Sequence, residues 1–470
     1  MKETITILHT NDLHGHYDFA LRQAAYMKKR KKELHAKNES VLLVDGGDHL
    51  DMSMNECLAT EGYIHLEMLV ASEYEAMGVG NNELLRLPKE KIKQLSLDSE
   101  VPWLLLNLEE ADGSTIGGIK ETLIIEKGEH LKIGLFSATD QFEDIYEIKH
   151  GFRNRDTLTA IQAGVASLKE NGANLIIFLS HLGYEADLKL APLLSGQIDV
   201  IIGAHSHTVL KKPEVVSDVI IAQAGCYGQY VGELKLTVDV NDKKVVEHCG
   251  HLTEITLEDE MDPDLFEVME KGRREAETFL SEIIYQTDND ISHEQLVKMC
   301  ADSLKEYWET DVGIMYGGGM AEGLKKGEVT KGTLLNICKS MHTPVVMTIT
   351  GMQLAGLIKE SYNNEIASKK VYGNGFRPHG IPFGKIQFSG VSWVGHDDEI
   401  SNILVNGELI DLSKTYTIGT GTPFLYEEVC GYQSVVGNEL IELGKDIMIK
   451  DVLINYLKNQ FNTSKNKSAF

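Results

Sequence analysis

Residue types that bind divalent metals recur in short motifs through the first half of the sequence. Asp12 and His14 are separated by one residue, as are His205 and His207. In an extended segment this spacing puts both side chains of a pair on one face, where they can reach one metal ion or two adjacent ions. Carboxylate, amide oxygen and imidazole are ligands of ions such as Mn, Zn, Fe or Co. The candidate metal ligands are Asp12, His14, Asp48, Asn81, His181, His205 and His207.

Each candidate ligand lies at or just after the end of an apolar run that is typical of a β-strand. These runs are residues 4–9, 41–45, 75–80, 175–180 and 198–203. Ligands collect at the carboxyl ends of strands in open α/β sheets, so residues far apart in sequence can meet there. Glycines shortly before Asp48, Asn81 and His205 permit tight turns and close backbone approach. The sequence therefore predicts a site for two divalent cations, with Asp48 as the bridging carboxylate.

The elements that position these residues alternate between strands and helices over residues 1–255. Amphipathic segments lie between the apolar runs, and this alternation indicates a layered α/β domain. A charged segment with helical character at 259–285 predicts a linker helix within 256–287. A second mixed pattern occupies residues 288–470 and predicts a further α/β domain.

Charge and composition exclude several classes of partner. The 470 residues include 45 Lys and Arg against 71 Asp and Glu, a formal net charge of −26. Such a surface repels a phosphate backbone, so we expect no nucleic-acid partner. No apolar stretch approaches the ~20 residues of a membrane span, and no signal-like segment precedes the first strand. The cysteines show no CxxC spacing and are expected to be reduced. We therefore expect a cytoplasmic protein with no membrane partner.

The motifs together resemble the calcineurin-like metallophosphoesterase superfamily, and more narrowly the two-domain 5′-nucleotidase family. The segment ILHTNDLHGH at 7–16 is similar to the opening signature of that family. The C-terminal half adds GGG at 317–319, GEVT at 327–330 and VVMTITGMQL at 345–354, which are similar to its substrate domain. The resemblance implies an N-terminal calcineurin-like α/β sandwich and a smaller C-terminal α/β domain that binds substrate.

The resemblance also implies an activity and a division of the ligands. One metal would be held by Asp12, His14, Asp48 and His207, and the other by Asp48, Asn81, His181 and His205. The protein would be a dinuclear-metal phosphohydrolase in which a hydroxide between the metals attacks phosphorus in line with the leaving alcohol. Its substrate would be a small phosphorylated molecule, such as a nucleotide or a related ester.

The sequence departs from the family at the pair that assists catalysis. The family motif reads Gly-Asn-His-Glu and is followed by an Asp, whereas this chain has Asn82 and Leu85 at the His and Asp positions. An amide can donate a hydrogen bond but has no proton to give to a leaving group. Asn82 and His16 are the catalytic candidates, and His49 is a further replacement. Two alternatives stay open: hydrolysis of cyclic or anhydride-linked nucleotides, and metal and ligand binding with little turnover.

The second domain departs from the family as well. The family's Gly-rich turn continues into an Arg, but here Gly319 is followed by Met320. Phe424 matches one of the two Phe positions that sandwich the nucleobase in the family, and the Asp that binds ribose is missing. The candidate substrate-binding residues are Phe424, Arg377, His342 and Phe376.

Overall fold

The chain is described by a computed structural model that covers residues 1–468 except 340, 373–375, 377–379, 397–398 and 436. It divides into two compact units, Met1–Ala276 and Glu277–Phe470. Each unit combines sheets with helices around a hydrophobic core, which confirms the α/β fold class. Among the described helices, none has both the length and the apolar character needed to cross a lipid bilayer.

Two sheets form the centre of the first unit, in the strand orders β14-β13-β1-β2-β3-β4 and β11-β12-β10-β9-β7-β6, and β5 pairs with β8. The strands are β1 (Lys2–Thr10), β2 (Ser40–Asp45), β3 (Ala76–Gly78), β4 (Trp103–Leu104), β5 (Leu108–Glu109), β6 (Thr122–Lys127), β7 (Leu131–Thr139), β8 (Arg153–Asn154), β9 (Leu175–His181), β10 (Val200–Gly203), β11 (Glu214–Val216), β12 (Val219–Ala222), β13 (Tyr230–Asp239) and β14 (Lys244–Glu254). Within the first sheet β1, β2, β3 and β4 are parallel, and within the second β7, β9, β10 and β12 are parallel.

The two sheets of the first unit share one hydrophobic core. Ile7 and Val44 from the first sheet belong to the same buried cluster as Leu135, Ile177 and Ile202 from the second. Strands covered on both faces bury every residue, so they appear in sequence as continuous apolar runs such as 41–44. This packing holds the carboxyl ends of the parallel strands in fixed positions.

Helices surround these sheets. Their bounds are α1 (Tyr17–His35), α2 (Asn55–Ala59), α3 (Tyr63–Ala71), α4 (Asn81–Leu85), α5 (Lys89–Asp98), α6 (Ile145–His150), α7 (Thr157–Glu170), α8 (Tyr184–Leu194) and α9 (Pro263–Leu280). Helix α7 begins where the Asp156 carboxylate accepts a hydrogen bond from the Thr159 amide at 2.9 Å, which satisfies one free N–H of the first turn. Its apolar face, including Ile161 and Val165, packs in one cluster with Phe136 and Phe178 of the second sheet.

The second unit is built on a sheet in the order β21-β16-β25-β18-β26. Its strands are β15 (Ile283–Thr287), β16 (Val312–Tyr316), β17 (Gly327–Thr330), β18 (Pro344–Thr350), β19 (Lys370–Val371), β20 (Ile381–Pro382), β21 (Ile386–Ser389), β22 (Val391–Val394), β23 (Ser401–Val405), β24 (Glu408–Leu409), β25 (Thr415–Gly421) and β26 (Leu440–Leu443). Its helices are α10 (His293–Trp308), α11 (Lys331–Ile337), α12 (Gly351–Glu360), α13 (Asn364–Ser368), α14 (Glu427–Cys430) and α15 (Ile449–Ser468). Helix α10 buries Leu296, Cys300 and Leu304 in the core of this unit.

The expectation of a helix over 259–285 is wrong at both ends. Helix α9 begins at Pro263 and ends at Leu280, and residues 283–287 form strand β15, which pairs antiparallel with β17. The segment Ile283-Ile284-Tyr285-Gln286-Thr287 is rich in β-branched and aromatic residues, which favour a strand once a partner is present. The boundary between the two units falls inside α9, between Ala276 and Glu277.

Candidate metal centre

The structure brings all the candidate metal ligands together at the strand ends of the first unit. Asp12 and His14 follow β1, Asp48 follows β2, and Asn81 begins the helix after β3. From the second sheet, His181 is the last residue of β9, and His205 and His207 follow β10. The ligands therefore come from both sheets.

One group of side chains consists of Asp12, His14 and His207, whose ligand atoms all lie within 4.8 Å of one another. The Nε2 atom of His207 is 3.4 Å from Asp12 Oδ1 and 3.2 Å from His14 Nε2. Burial opposes ionisation of Asp12, but hydrogen bonding to His14 and His207 holds its pKa below the ordinary value. The group thus presents an ionised carboxylate and two imidazoles to a common point.

A second group consists of Asp48, His181 and His205, also with ligand atoms within 4.8 Å of one another. The Nε2 atom of His181 lies 3.4 Å from Asp48 Oδ2, and Asn81 Oδ1 lies 3.0 Å from His205 Nδ1. Asp48 also faces the first group, because its Oδ2 atom is 3.7 Å from His14 Nε2. A single carboxylate oxygen is therefore within reach of an imidazole from each group.

The electrostatics of these groups fit bound cations. His181 is fully buried, and its Nε2 atom faces Asp48 Oδ2 at 3.4 Å without forming a hydrogen bond of good geometry. Burial alone would lower the pKa of His181, but the carboxylates of Asp48 and Asp12 raise it to about 10. The pocket therefore favours positive charge. Divalent ions would supply that charge and bind the imidazoles in their neutral form, so the residues present fit two such ions.

Strained backbone conformations mark the same residues. Positive φ angles occur at Asp12 (52°), His14 (48°), Asp48 (53°), His205 (69°) and His207 (56°). Such angles are uncommon outside glycine, and strained backbone persists where the surrounding structure enforces it. Here the Asp12 amide donates to Gly47 O at 2.9 Å, and the His14 amide donates to Asp48 O at 2.9 Å. The loops after β1 and β2 thus hold each other in the conformation that aims these side chains inward.

Gly80 and Glu83 support Asp48. The sequence predicted a close backbone approach at Gly80 but no role for Glu83. A Cβ atom on Gly80 would lie only 2.2 Å from Asp48 Oδ1, so the close approach of the two loops requires glycine. The buried Glu83 carboxylate accepts hydrogen bonds from the amides of Asp48 at 3.0 Å and Gly80 at 2.9 Å. Burial, with a contribution from Asp48, raises the pKa of Glu83 to about 7. The position of Glu83 two residues after the candidate ligand Asn81, in the motif GNNE, was the available signal.

Of the catalytic candidates, Asn82 lies between the two groups. Its Nδ2 atom donates to Asp48 Oδ2 at 2.8 Å and lies 3.2 Å from His14 Nδ1. His16 is exposed at the edge of the site, with its ring centroid 4.2 Å from that of Tyr227. His49 is buried, and its Nδ1 atom is 3.0 Å from Nδ1 of His65. Asn82 and His16 remain predictions as catalytic residues.

The substrate-binding candidates belong to the second unit. His342, Phe376 and Phe424 are all buried there in one aromatic cluster, which consists of Tyr316, His342, Phe376, Phe383, Phe424 and Tyr432. His342 and Phe376 have ring centroids 4.4 Å apart, and Phe424 packs edge-to-face on Phe383 at 5.5 Å. The rings thus pack against one another, and their role toward a substrate stays a prediction. Arg377 lies outside the described residues.

Comparison with known proteins identifies two family models in the chain. The model described as calcineurin-like phosphoesterase matches residues 5–209, and the model described as 5′-nucleotidase, C-terminal domain, matches residues 275–426. Both matches agree with the division of the chain into a metal-ligand unit and a second α/β unit.

Similar proteins extend over nearly the whole chain. An uncharacterized metallophosphoesterase of Bacillus subtilis (strain 168), YunD, is 30% identical over 428 residues, covering 89% of this chain and 92% of that protein. A 5′-nucleotidase of Vibrio vulnificus (strain CMCP6) is 25% identical, covering 88% of this chain and 83% of that protein. A solved putative 5′-nucleotidase of Staphylococcus aureus has a similar fold, with a TM-score of 0.62, 20% identity and coverage of 98% and 97% of the two chains.

Removing the Asp48 carboxylate is predicted to strip the metals. Asp48→Ala should retain neither ion after dialysis, because each group then loses an anionic ligand, and elemental analysis of Mn²⁺-loaded protein measures this. Asp187→Asn is the matched control, because burial raises the pKa of Asp187 to about 8 and the amide replaces a neutral acid at pH 7. Full metal retention by Asp48→Ala would contradict the bridging assignment.

Stability of the metal-free protein is predicted to fall as the pH rises. The pKa of His181 is raised from 6.5 to about 10 on folding, so its proton stabilises the fold fully below pH 6.5, and this stabilisation is lost as the pH approaches 10. Buried Asp45, whose pKa burial raises to about 8, acts in the same direction. Thermal unfolding of EDTA-treated protein should show a falling Tm across this range, and Zn²⁺ should reduce the fall. A metal-free Tm that is constant or rises would contradict the account.

Proposed function

The chain belongs to the calcineurin-like phosphoesterases that carry a 5′-nucleotidase C-terminal domain, and we propose that it is a metal-dependent phosphohydrolase acting on nucleotides or related small phosphate esters. The observation that carries the proposal is the position of Asp48 Oδ2, 3.4 Å from His181 Nε2 and 3.7 Å from His14 Nε2. A buried carboxylate that faces a histidine from each of the two ligand groups is the arrangement expected for two adjacent cations.

The side chains of the first unit would bind the cations and orient a phosphoryl group. Two divalent ions, when bound, would supply positive charge to the phosphoryl oxygens and lower the pKa of a water molecule. Asp12, His14 and His207 would hold one ion, and Asn81, His181 and His205 would hold the other, with Asp48 between them. The strained loops keep these donors in place before substrate arrives, so little reorganisation is needed during the reaction.

Asn82 limits the proton chemistry that this site can perform. Its amide already donates to Asp48 Oδ2 at 2.8 Å, and it cannot protonate a leaving alkoxide. Loss of a general acid costs typically ~10²–10⁴-fold for poor leaving groups and less for good ones. This contact favours, as a second candidate function, the hydrolysis of cyclic or anhydride-linked nucleotides. Exposed His16, whose ring contacts that of Tyr227 at a tilt of 32°, is the proposed alternative proton donor.

The second unit is proposed to select the organic part of the substrate. The name of the Vibrio relative, 5′-nucleotidase, supports a nucleotide. Phe376 and Phe424 are the proposed residues for stacking on its base, which would require these buried rings to separate from their aromatic neighbours. His342 and Arg377 are the proposed partners of its anionic or polar groups. We propose a cytoplasmic location, which the free cysteines of the chain support.

Mn²⁺-loaded protein is predicted to hydrolyse phosphate esters and to lose this activity in EDTA. A panel of AMP, 2′,3′-cyclic AMP, ADP and bis(p-nitrophenyl) phosphate would measure rates for good and poor leaving groups, with Asp48→Ala as the inactive control. Rates should be highest for the activated and cyclic compounds. A fully metal-loaded protein without turnover on any compound would contradict enzymatic function and leave ligand binding as the alternative.

Restoring the family's catalytic pair is predicted to relieve the dependence on leaving group. Asn82→His with Leu85→Asp should raise the rate on AMP by ~10²-fold or more, because the alkoxide then receives a proton. The rate on p-nitrophenyl phosphate should change less, and Leu85→Asp alone is the control. An equal change on both substrates would show that proton donation does not limit the reaction.

A further inference from the structure

A carboxylate outside the predicted ligand set lies beside His205. Asp140 comes directly after β7, the neighbour of β9 in the second sheet, and its amide donates to His181 O at 3.0 Å. This places Asp140 at one more strand end of the same edge. Its Oδ2 atom is 3.6 Å from His205 Nε2, at the distance of an electrostatic contact.

The two ring nitrogens of His205 face different partners. Nδ1 lies 3.0 Å from Asn81 Oδ1, and Nε2 faces Asp140. A metal-binding histidine uses one nitrogen as a ligand, and its other N–H commonly donates to a carboxylate that fixes the tautomer and the ring orientation. By this pattern, the His205 nitrogen beside Asn81 would be the ligand atom once a metal is bound, and the nitrogen beside Asp140 would be the donor.

The loop that carries Asp140 is held in a constrained conformation. Asp140 Oδ1 accepts a hydrogen bond from the Phe142 amide at 3.2 Å, and the Gln141 side chain donates to Asn107 O at 2.9 Å. Phe142 and Glu143 have φ angles of 44° and 55°, and the Phe142 ring packs edge-on against His205 with centroids 5.7 Å apart. Strain at two consecutive residues persists only where the surrounding contacts enforce it, so this loop is constrained where it contacts His205 through a ring and a carboxylate.

We propose that Asp140 is a positioning residue for one of the two cations: its carboxylate accepts the Nε2–H of His205 and directs Nδ1, together with Asn81 Oδ1, toward the ion. The proposal rests on the proposed function, because it requires that the site binds metal. It assigns Asp140 no contact with the ion or with the reacting phosphoryl group.

Calorimetric titration of the metal-free full-length protein with MnCl₂ tests this role. Asp140→Ala should weaken binding of one cation by about 10–100-fold and leave the other affinity nearly unchanged, because Asp12, His14 and His207 do not contact Asp140. Asp140→Asn retains an acceptor for the Nε2–H and should recover part of the loss. Glu143→Ala is the matched control, since it removes an exposed carboxylate from the same loop.

The outcomes separate this inference from the proposed function. Unchanged affinities in Asp140→Ala, or an equal loss in Glu143→Ala, would overturn the positioning role while leaving the metal centre in place. A wild-type protein that binds no Mn²⁺ would overturn the proposed function as well. If Asp140→Ala does not fold, ¹⁵N NMR of the histidine rings in Zn²⁺-loaded wild type tests the positioning role instead. The inference requires a protonated Nε2 and a metal-bound Nδ1 in His205, and the opposite tautomer would overturn it.

Discussion

The candidate site depends on the burial of ionised Asp48 between two groups of imidazoles. A buried carboxylate is costly unless neighbouring charges and hydrogen bonds compensate for the lost water. Here the backbone amide of Asn82 donates to Asp48 Oδ1 at 2.7 Å, and its side-chain amide donates to Oδ2 at 2.8 Å. The rings of His14 and His181 also face Oδ2. Glu83 in turn holds the backbone of Asp48 through its amide. The fold therefore concentrates negative charge at Asp48, and this charge favours the binding of cations.

Two mixed sheets, each with four neighbouring parallel strands, make this concentration possible. The cluster that the two sheets share is apolar, and the candidate ligands lie at or just beyond the strand ends. The cost of the positive φ angles in these loops is offset by the packing of the strands that precede them. A site assembled in this way has little freedom to rearrange, which suits the binding of ions with defined geometry.

The convergence of the candidate metal ligands was predictable, because the Asp-x-His and His-x-His spacings and the preceding apolar runs are local signals. The supporting residues could not be predicted. Glu83 binds the backbone amide of Asp48, and Asp140 faces the His205 nitrogen on the side opposite Asn81. Such neighbours come together only when the strands assemble into sheets. The strand at 283–287 was missed because its partner, β17, lies far along the sequence. The hairpin of β13 and β14 gave no expected strands either, since the exposed outer strand has few consecutive apolar residues.

The central claim is that Asp48 is shared by two cations, and anomalous diffraction from Mn²⁺-loaded crystals tests it most directly. The account predicts two anomalous peaks, about 3.5–4 Å apart as in other two-metal sites. One peak should lie beside Asp12, His14 and His207, the other beside Asn81, His181 and His205, with Asp48 contacting both. A single peak, or none under saturating Mn²⁺ and Zn²⁺, would contradict it.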